Sequence, residues 1–140
     1  MCIRDRCWVC LVNLVEYEEA NDEVRAVYDD IRRTRQTDFI NNFWKALANY
    51  PATLKRVWSA GKEVMAPGEI DAVIKEMIYI AVSVANACEY CAHSHTSAAF
   101  GKGMSEAQYG ELLAVIALAQ QNNGLASGMQ VPVDGIFLQK

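Results

Sequence analysis

The sequence predicts an all-α fold, a single-domain bundle of about six helices, and three observations predict it. Apolar residues recur at spacings of three and four along most of the 140 residues, the period of an α-helix packed on one face. The joints between these periodic stretches carry helix punctuation: Asn41-Asn42, Pro51, Ala66-Pro67-Gly68, Gly101 with Gly103, and Ser105 with Gln108. Strand-type alternation, internal repeats and low-complexity segments are all missing from the sequence.

The first helix is expected from about Glu18 to Arg35, with Ala20, Val24, Val27, Tyr28 and Ile31 forming its buried stripe. Its end carries Arg32, Arg33 and Arg35 one turn after Asp29 and Asp30, a solvated helix end where cations suit the dipole. Asn41 or Asn42 can cap a short second helix carrying Phe43, Trp44, Leu47 and Ala48. Pro51 suits the first turn of a third, in which Leu54, Val57, Trp58 and Val64 make the stripe. After the Ala66-Pro67-Gly68 break a fourth runs from about Glu69 to Ala85, apolar around most of its circumference and so expected to be central. Asn86 can end it and cap a fifth, from about Ala87 to Phe100, closed by Gly101 and Gly103. Ser105 and Gln108 have capping-box spacing for a sixth that ends near Asn122 or Asn123. Gly124 to Lys140 then reads as an extended tail that packs on a neighbour.

Composition excludes several functions. A net charge of −4 and a pI near 5.1 argue against a nucleic-acid partner. The longest apolar runs, Met77 to Ala85 and Leu112 to Ala119, fall far short of the roughly 20 residues a membrane span needs. Arg4 and Arg6 ahead of Cys7 to Val12 imitate a secretory signal, but Asn13 and Glu16 interrupt it and no small-x-small site follows. The opening Met1-Cys2-Ile3-Arg4-Asp5-Arg6 instead resembles translated adapter sequence, so residues 1–10 are expected to be a non-native or disordered leader and 11–140 the helical domain. The expected compartment is the cytoplasm, where a close cysteine pair is more often catalytic or metal-binding than structural.

Five cysteines fall into two groups, Cys2, Cys7 and Cys10, and Cys88 with Cys91. The pair Cys7-Trp8-Val9-Cys10 has no histidine or helix cap nearby and is not expected to function. The informative segment is Asn86-Ala87-Cys88-Glu89-Tyr90-Cys91-Ala92-His93-Ser94-His95, which holds both histidines of the chain. On a helix Cys88, Cys91 and His95 fall at roughly 0°, 300° and 340°, one stripe, with His93 at roughly 140°. A thiol near a helix N-terminus beside a histidine is favoured as thiolate, and two cysteines three apart lie near disulfide distance. The segment thus supplies a nucleophile, a resolving thiol and a base, the parts of a thiol peroxidase or disulfide reductase. A zinc site from Cys88, Cys91, His93 and His95 is the competing reading; a helix opposes it, since Cys88 and His95 would lie about 10 Å apart along the axis. His93 reads as an exposed polar residue.

Glu76, eleven further residues, and Cys88-x-x-Cys91-x-x-x-His95 together resemble the signature of the alkylhydroperoxidase D-like branch of the carboxymuconolactone decarboxylase family. The likeness extends from about Leu14 to Val133 and includes the Glu23–Asp30 helix and the Asn49-Tyr50-Pro51 corner. The resemblance implies a helical fold with the dithiol at the N-terminal end of a helix. It implies that Cys91 attacks the peroxide, that Cys88 resolves the sulfenic acid to a disulfide, and that His95 and Glu76 move the proton. It further implies a hydroperoxide substrate, a thiol or dithiol electron donor of thioredoxin-like or lipoyl type, no metal or organic cofactor, and homotrimers or homohexamers. Tyr90 departs from well-known peroxidase members, which carry histidine there. A carboxymuconolactone decarboxylase-type enzyme and a non-enzymatic zinc-binding or redox-sensing module are the alternatives.

Overall fold

The computed structural model describes residues 11–138, and the expectations for the leader, Cys7 and Cys10 among them, lie outside that range. Among the described residues the regular structure is all helical: α1 Asp22–Arg35, α2 Asn42–Leu47, α3 Pro51–Val64, α4 Ala72–Ala85, α5 Glu89–Gly101 and α6 Glu106–Gly128, with 3-10 turns at Tyr17–Glu19 and Gly135–Leu138. No helix among them is long and apolar enough to cross a membrane. The chain divides at the Ala66-Pro67 break into two compact units, each with a separate apolar core.

In the first unit the stripe Ala20, Val24, Val27, Tyr28 and Ile31 is buried as expected, together with Ile40, Trp44, Ala48, Leu54 and Trp58. The first helix starts later than its periodicity suggests, because Glu18 and Glu19 belong to the 3-10 turn and Asn21 caps α1, its side chain accepting the Val24 N–H at 2.9 Å. Val64 is no part of the α3 stripe: at 66% exposure it ends the helix in solvent. Asn41 does precede α2, but its Oδ1 accepts from Arg35 Nη1 at 2.8 Å instead of capping. Asp30 of α1 fastens α3, accepting from Trp58 Nε1 and Lys62 Nζ, each at 2.6 Å, and pairing with Arg33. Those donors, Lys62 first, hold its carboxyl below the usual range.

In the second unit α4 packs on α5 and on α6 around Ile80, Ala99, Met104 and Ile116. Asp71 caps α4, accepting from Val73 N–H at 2.8 Å, so the helix begins three residues after Glu69. The expectation of a central α4 holds for one face only. Glu76, Ile80 and Ser83 are buried, while Ile74, Ile78 and Val82 stay about half exposed within the single chain. The sixth helix continues past Asn123 to Gly128, and the extended tail is correspondingly shorter. A glycine inside a helix costs only about 1 kcal/mol, so Gly124 does not stop it, whereas Pro132 lies beyond the end.

The two ends of α5 are set by the same device. At the end of α4 the Ala87 N–H donates to Val84 O at 3.1 Å and the Cys88 N–H to Ser83 O at 2.9 Å, the paired bonds of a Schellman motif. That motif needs a left-handed residue, and here Ala87 takes it with φ 54°. At the end of α5, Gly103 N–H donates to Phe100 O and Met104 N–H to Ala99 O, both at 3.0 Å, with Gly103 at φ 100°. Glycine accepts this conformation without steric cost; alanine does not.

Candidate active site

The Schellman motif fixes where the first thiol goes. Cys88 lies just past the end of α4 and is at once the N-cap of α5, with φ −87° and ψ 89°. The sequence pattern predicts Cys88 inside the helix, with Asn86 as its cap. Asn86 in fact ends α4, and the helix opens at Glu89, two residues later than expected. The helical angle expected for Cys88 therefore does not apply, whereas Cys91 and His95 do share one face of α5, one turn apart. Both thiols are free and half-buried.

The two sulfurs differ in acidity. The Cys91 thiol, then the Cys91 backbone N–H at the first turn of α5, favour ionised Cys88 and hold it below the ordinary thiol value. Burial, with the neighbouring Cys88 sulfur, pushes Cys91 up to about 11. A recess of about 160 Å³ opens beside Cys88, lined also by Ser83, Val84, Ala87, Glu89 and Ala92.

An acid–base pair joins α4 to α5. Glu76, in the middle of α4, is 3% exposed, and its Oε2 lies 2.6 Å from His95 Nδ1. Lys102, the residue that caps the end of α5, donates to Glu76 Oε1. Burial alone would raise the Glu76 carboxyl; the hydrogen bonds from His95 and Lys102, with their charges, outweigh it and hold the carboxyl below its usual range. When His95 is neutral, the carboxylate selects the tautomer protonated on Nδ1, which makes Nε2 the basic nitrogen. The imidazole is also stacked on Tyr79, with ring centroids 3.5 Å apart and planes 16° apart. Burial raises the Tyr79 hydroxyl, as do the negative charges of Cys91, Cys88 and Glu76.

Of the residues the sequence pattern singles out, Glu76 and His95 are hydrogen-bonded, and Cys88 and Cys91 interact with each other. Lys102 and Tyr79 lie outside that pattern. A signal for Lys102 was available, because it lies seven residues after His95, two turns along the same stripe. Tyr79 lies one turn after Glu76 on α4, inside an apolar run that conceals it. His93 is exposed, with Nε2 4.0 Å from Glu89 Oε1. Among the described residues no group of three or more His, Cys, Asp and Glu side chains converges as a metal site.

Known proteins bear on this geometry in three ways. Residues 51–133 match the carboxymuconolactone decarboxylase family. The chain is 33% identical over 107 residues to an (R)-2-haloacid dehalogenase from Pseudomonas putida, covering 76% of this chain but 36% of that longer protein. The crystal structure of the alkylhydroperoxidase AhpD core from Rhodospirillum rubrum superposes with a TM-score of 0.92 at 53% identity, over 94% of this chain and 99% of that one. On the strength of these matches and of the shared helical architecture, the chain belongs to the carboxymuconolactone decarboxylase family, on its alkylhydroperoxidase D-like side.

Proposed function

We propose that the protein is a thiol-dependent peroxidase, a disulfide oxidoreductase that reduces hydroperoxides through the Cys88–Cys91 dithiol. Family membership by itself supports only the broader choice of an alkylhydroperoxidase-type or decarboxylase-type enzyme. The observation that carries the narrower reading is the pairing of two free, half-buried thiols with a Glu76–His95 hydrogen bond whose histidine lies one turn after Cys91 on α5. Decarboxylation or hydrolysis has no use for that dithiol.

Chemistry follows from the placement of the base. His95 Nε2, one turn after Cys91 on α5, takes the Cys91 proton, and the thiolate attacks the terminal peroxide oxygen; an S–O bond forms, the O–O bond breaks, and the alkoxide takes the proton back from the imidazolium and leaves as alcohol. Glu76 stabilises the imidazolium between the two transfers. Cys88, which ionises more readily than an ordinary thiol, then attacks the Cys91 sulfur; hydroxide is displaced and leaves as water with the proton that Cys88 gave to solvent, and an intramolecular disulfide remains. These are the roles that the family resemblance implies. Two electrons from a thiol or dithiol donor, thioredoxin-like or lipoyl in type, restore the pair. The cycle needs no metal and no organic cofactor.

The test is a thiol titration with mass spectrometry before and after one equivalent of a hydroperoxide. The expected result is rapid loss of two thiols with a Cys88–Cys91 disulfide. Cys88→Ser should still consume one equivalent and stop at a sulfenic acid on Cys91, while Cys91→Ser should react at least tenfold more slowly. The mirrored outcome would hand the first attack to Cys88. Two thiols that stay reduced would end the peroxidase reading.

A further inference from the structure

We propose that Lys102 is a positioning residue for the acid–base pair: by holding the second oxygen of Glu76 it divides the carboxylate's charge between an ammonium and the imidazole of His95. This deepens the proposed function and rests on its reading of His95 as the base. The Glu76 carboxylate is 96% buried at its side chain, and each oxygen has one partner, His95 Nδ1 on Oε2 and Lys102 Nζ on Oε1. Both partners come from one stripe of α5, two turns apart, and the Gly103 Schellman turn fixes the Lys102 backbone at the helix end. The Lys102 side chain is 38% exposed, so its stem crosses from solvent to a buried anion.

A buried anion shared in this way acts on His95 differently from one facing it alone. An unshared carboxylate stabilises the imidazolium and would trap the proton taken from Cys91. A nearby ammonium opposes that positive charge, so the proton can be released again to the departing alkoxide. The other groups facing the imidazole are Tyr79, stacked on it from α4, and Cys91, one turn earlier on α5. Neither carries the compensating positive charge.

The prediction concerns a titration midpoint read by NMR on the intact chain. His93 and His95 are the two histidines, and exposed His93 serves as the internal reference. In Lys102→Gln, which keeps a donor for Oε1 but no charge, the His95 midpoint should rise by about one pH unit or more. His93 should not move, and Lys102→Arg should titrate like the parent. The pH at which peroxide consumption is half-maximal should rise in step. An unmoved His95 midpoint in Lys102→Gln overturns the proposal, as does an Arg variant that shifts like Gln. If Lys102→Gln and Lys102→Met both fail to fold while Lys102→Arg folds, the lysine is structural and the proposal falls. The midpoint is read without substrate. A shifted midpoint in a chain whose thiols ignore peroxide would therefore sink the proposed function and leave the charge-sharing intact.

Discussion

At the scale of single residues, Glu76 carries the heaviest demands, because a buried carboxylate survives only with both oxygens partnered. Glu76→Gln keeps the shape and removes the charge. Disulfide formation should slow by at least about 100-fold, the lower end of what a positioned acid–base group supplies, as single-turnover thiol loss would reveal. The pH dependence of stability has a definite sign. Glu76 and Asp30 both titrate below their ordinary carboxyl values in the folded chain, so unfolded chain binds protons first as pH drops. Their contribution is complete above the ordinary carboxyl range and is lost as pH falls through the lowered values. Urea midpoints measured from pH 6 down to pH 3 should decline, and less steeply in Glu76→Gln. Four members of this site were legible because cysteine, histidine and glutamate at fixed spacing have few uses. Lys102 shares the His95 stripe, but that signal is masked, since a lysine between two glycines at a helix end is also what a solvated terminus looks like.

Elements show where local rules are kept and where they are strained. Ala87 adopts a left-handed backbone that glycine takes without steric cost. Ala87→Gly should therefore stabilise the second unit by about 0.5–1 kcal/mol, seen as a raised thermal midpoint. Gly103→Ala should do the reverse, costing about 1–2 kcal/mol from the backbone alone, since a Cβ there meets nothing within 4 Å. It should also slow disulfide formation by loosening Lys102. The number and order of helices were readable from apolar periodicity. Their ends were not, because periodicity cannot register the short-range hydrogen bonds that decide them. Asn21 and Asp71 start α1 and α4 with side-chain caps the periodicity overlooks. Cys88, lacking a hydroxyl or carboxylate, gives no capping signal at all at the helix end that matters most.

On the scale of the whole molecule, the apolar face of α4 is the unfinished part. Ile74, Ile78 and Val82 lie about half exposed at spacings of four, one apolar stripe along α4. Assembly into the homotrimers or homohexamers that the family resemblance implies would cover it. Sedimentation should give three or six times the 15.6 kDa subunit mass, and Ile78→Glu should shift the protein toward monomers; a native chain sedimenting as a monomer would remove the assembly. Within the first unit, Leu54→Ala should cost about 2–5 kcal/mol, because Leu54 is fully buried among Trp58, Ile31 and Tyr28. The doubly anchored Glu76 also restricts how this sequence can drift in length. Adding or deleting one residue between His95 and Lys102 would turn the lysine by about 100° around α5, and the carboxylate would lose one of its two holders. Substitutions can accumulate along that stretch, but a frame of seven residues must be inherited whole.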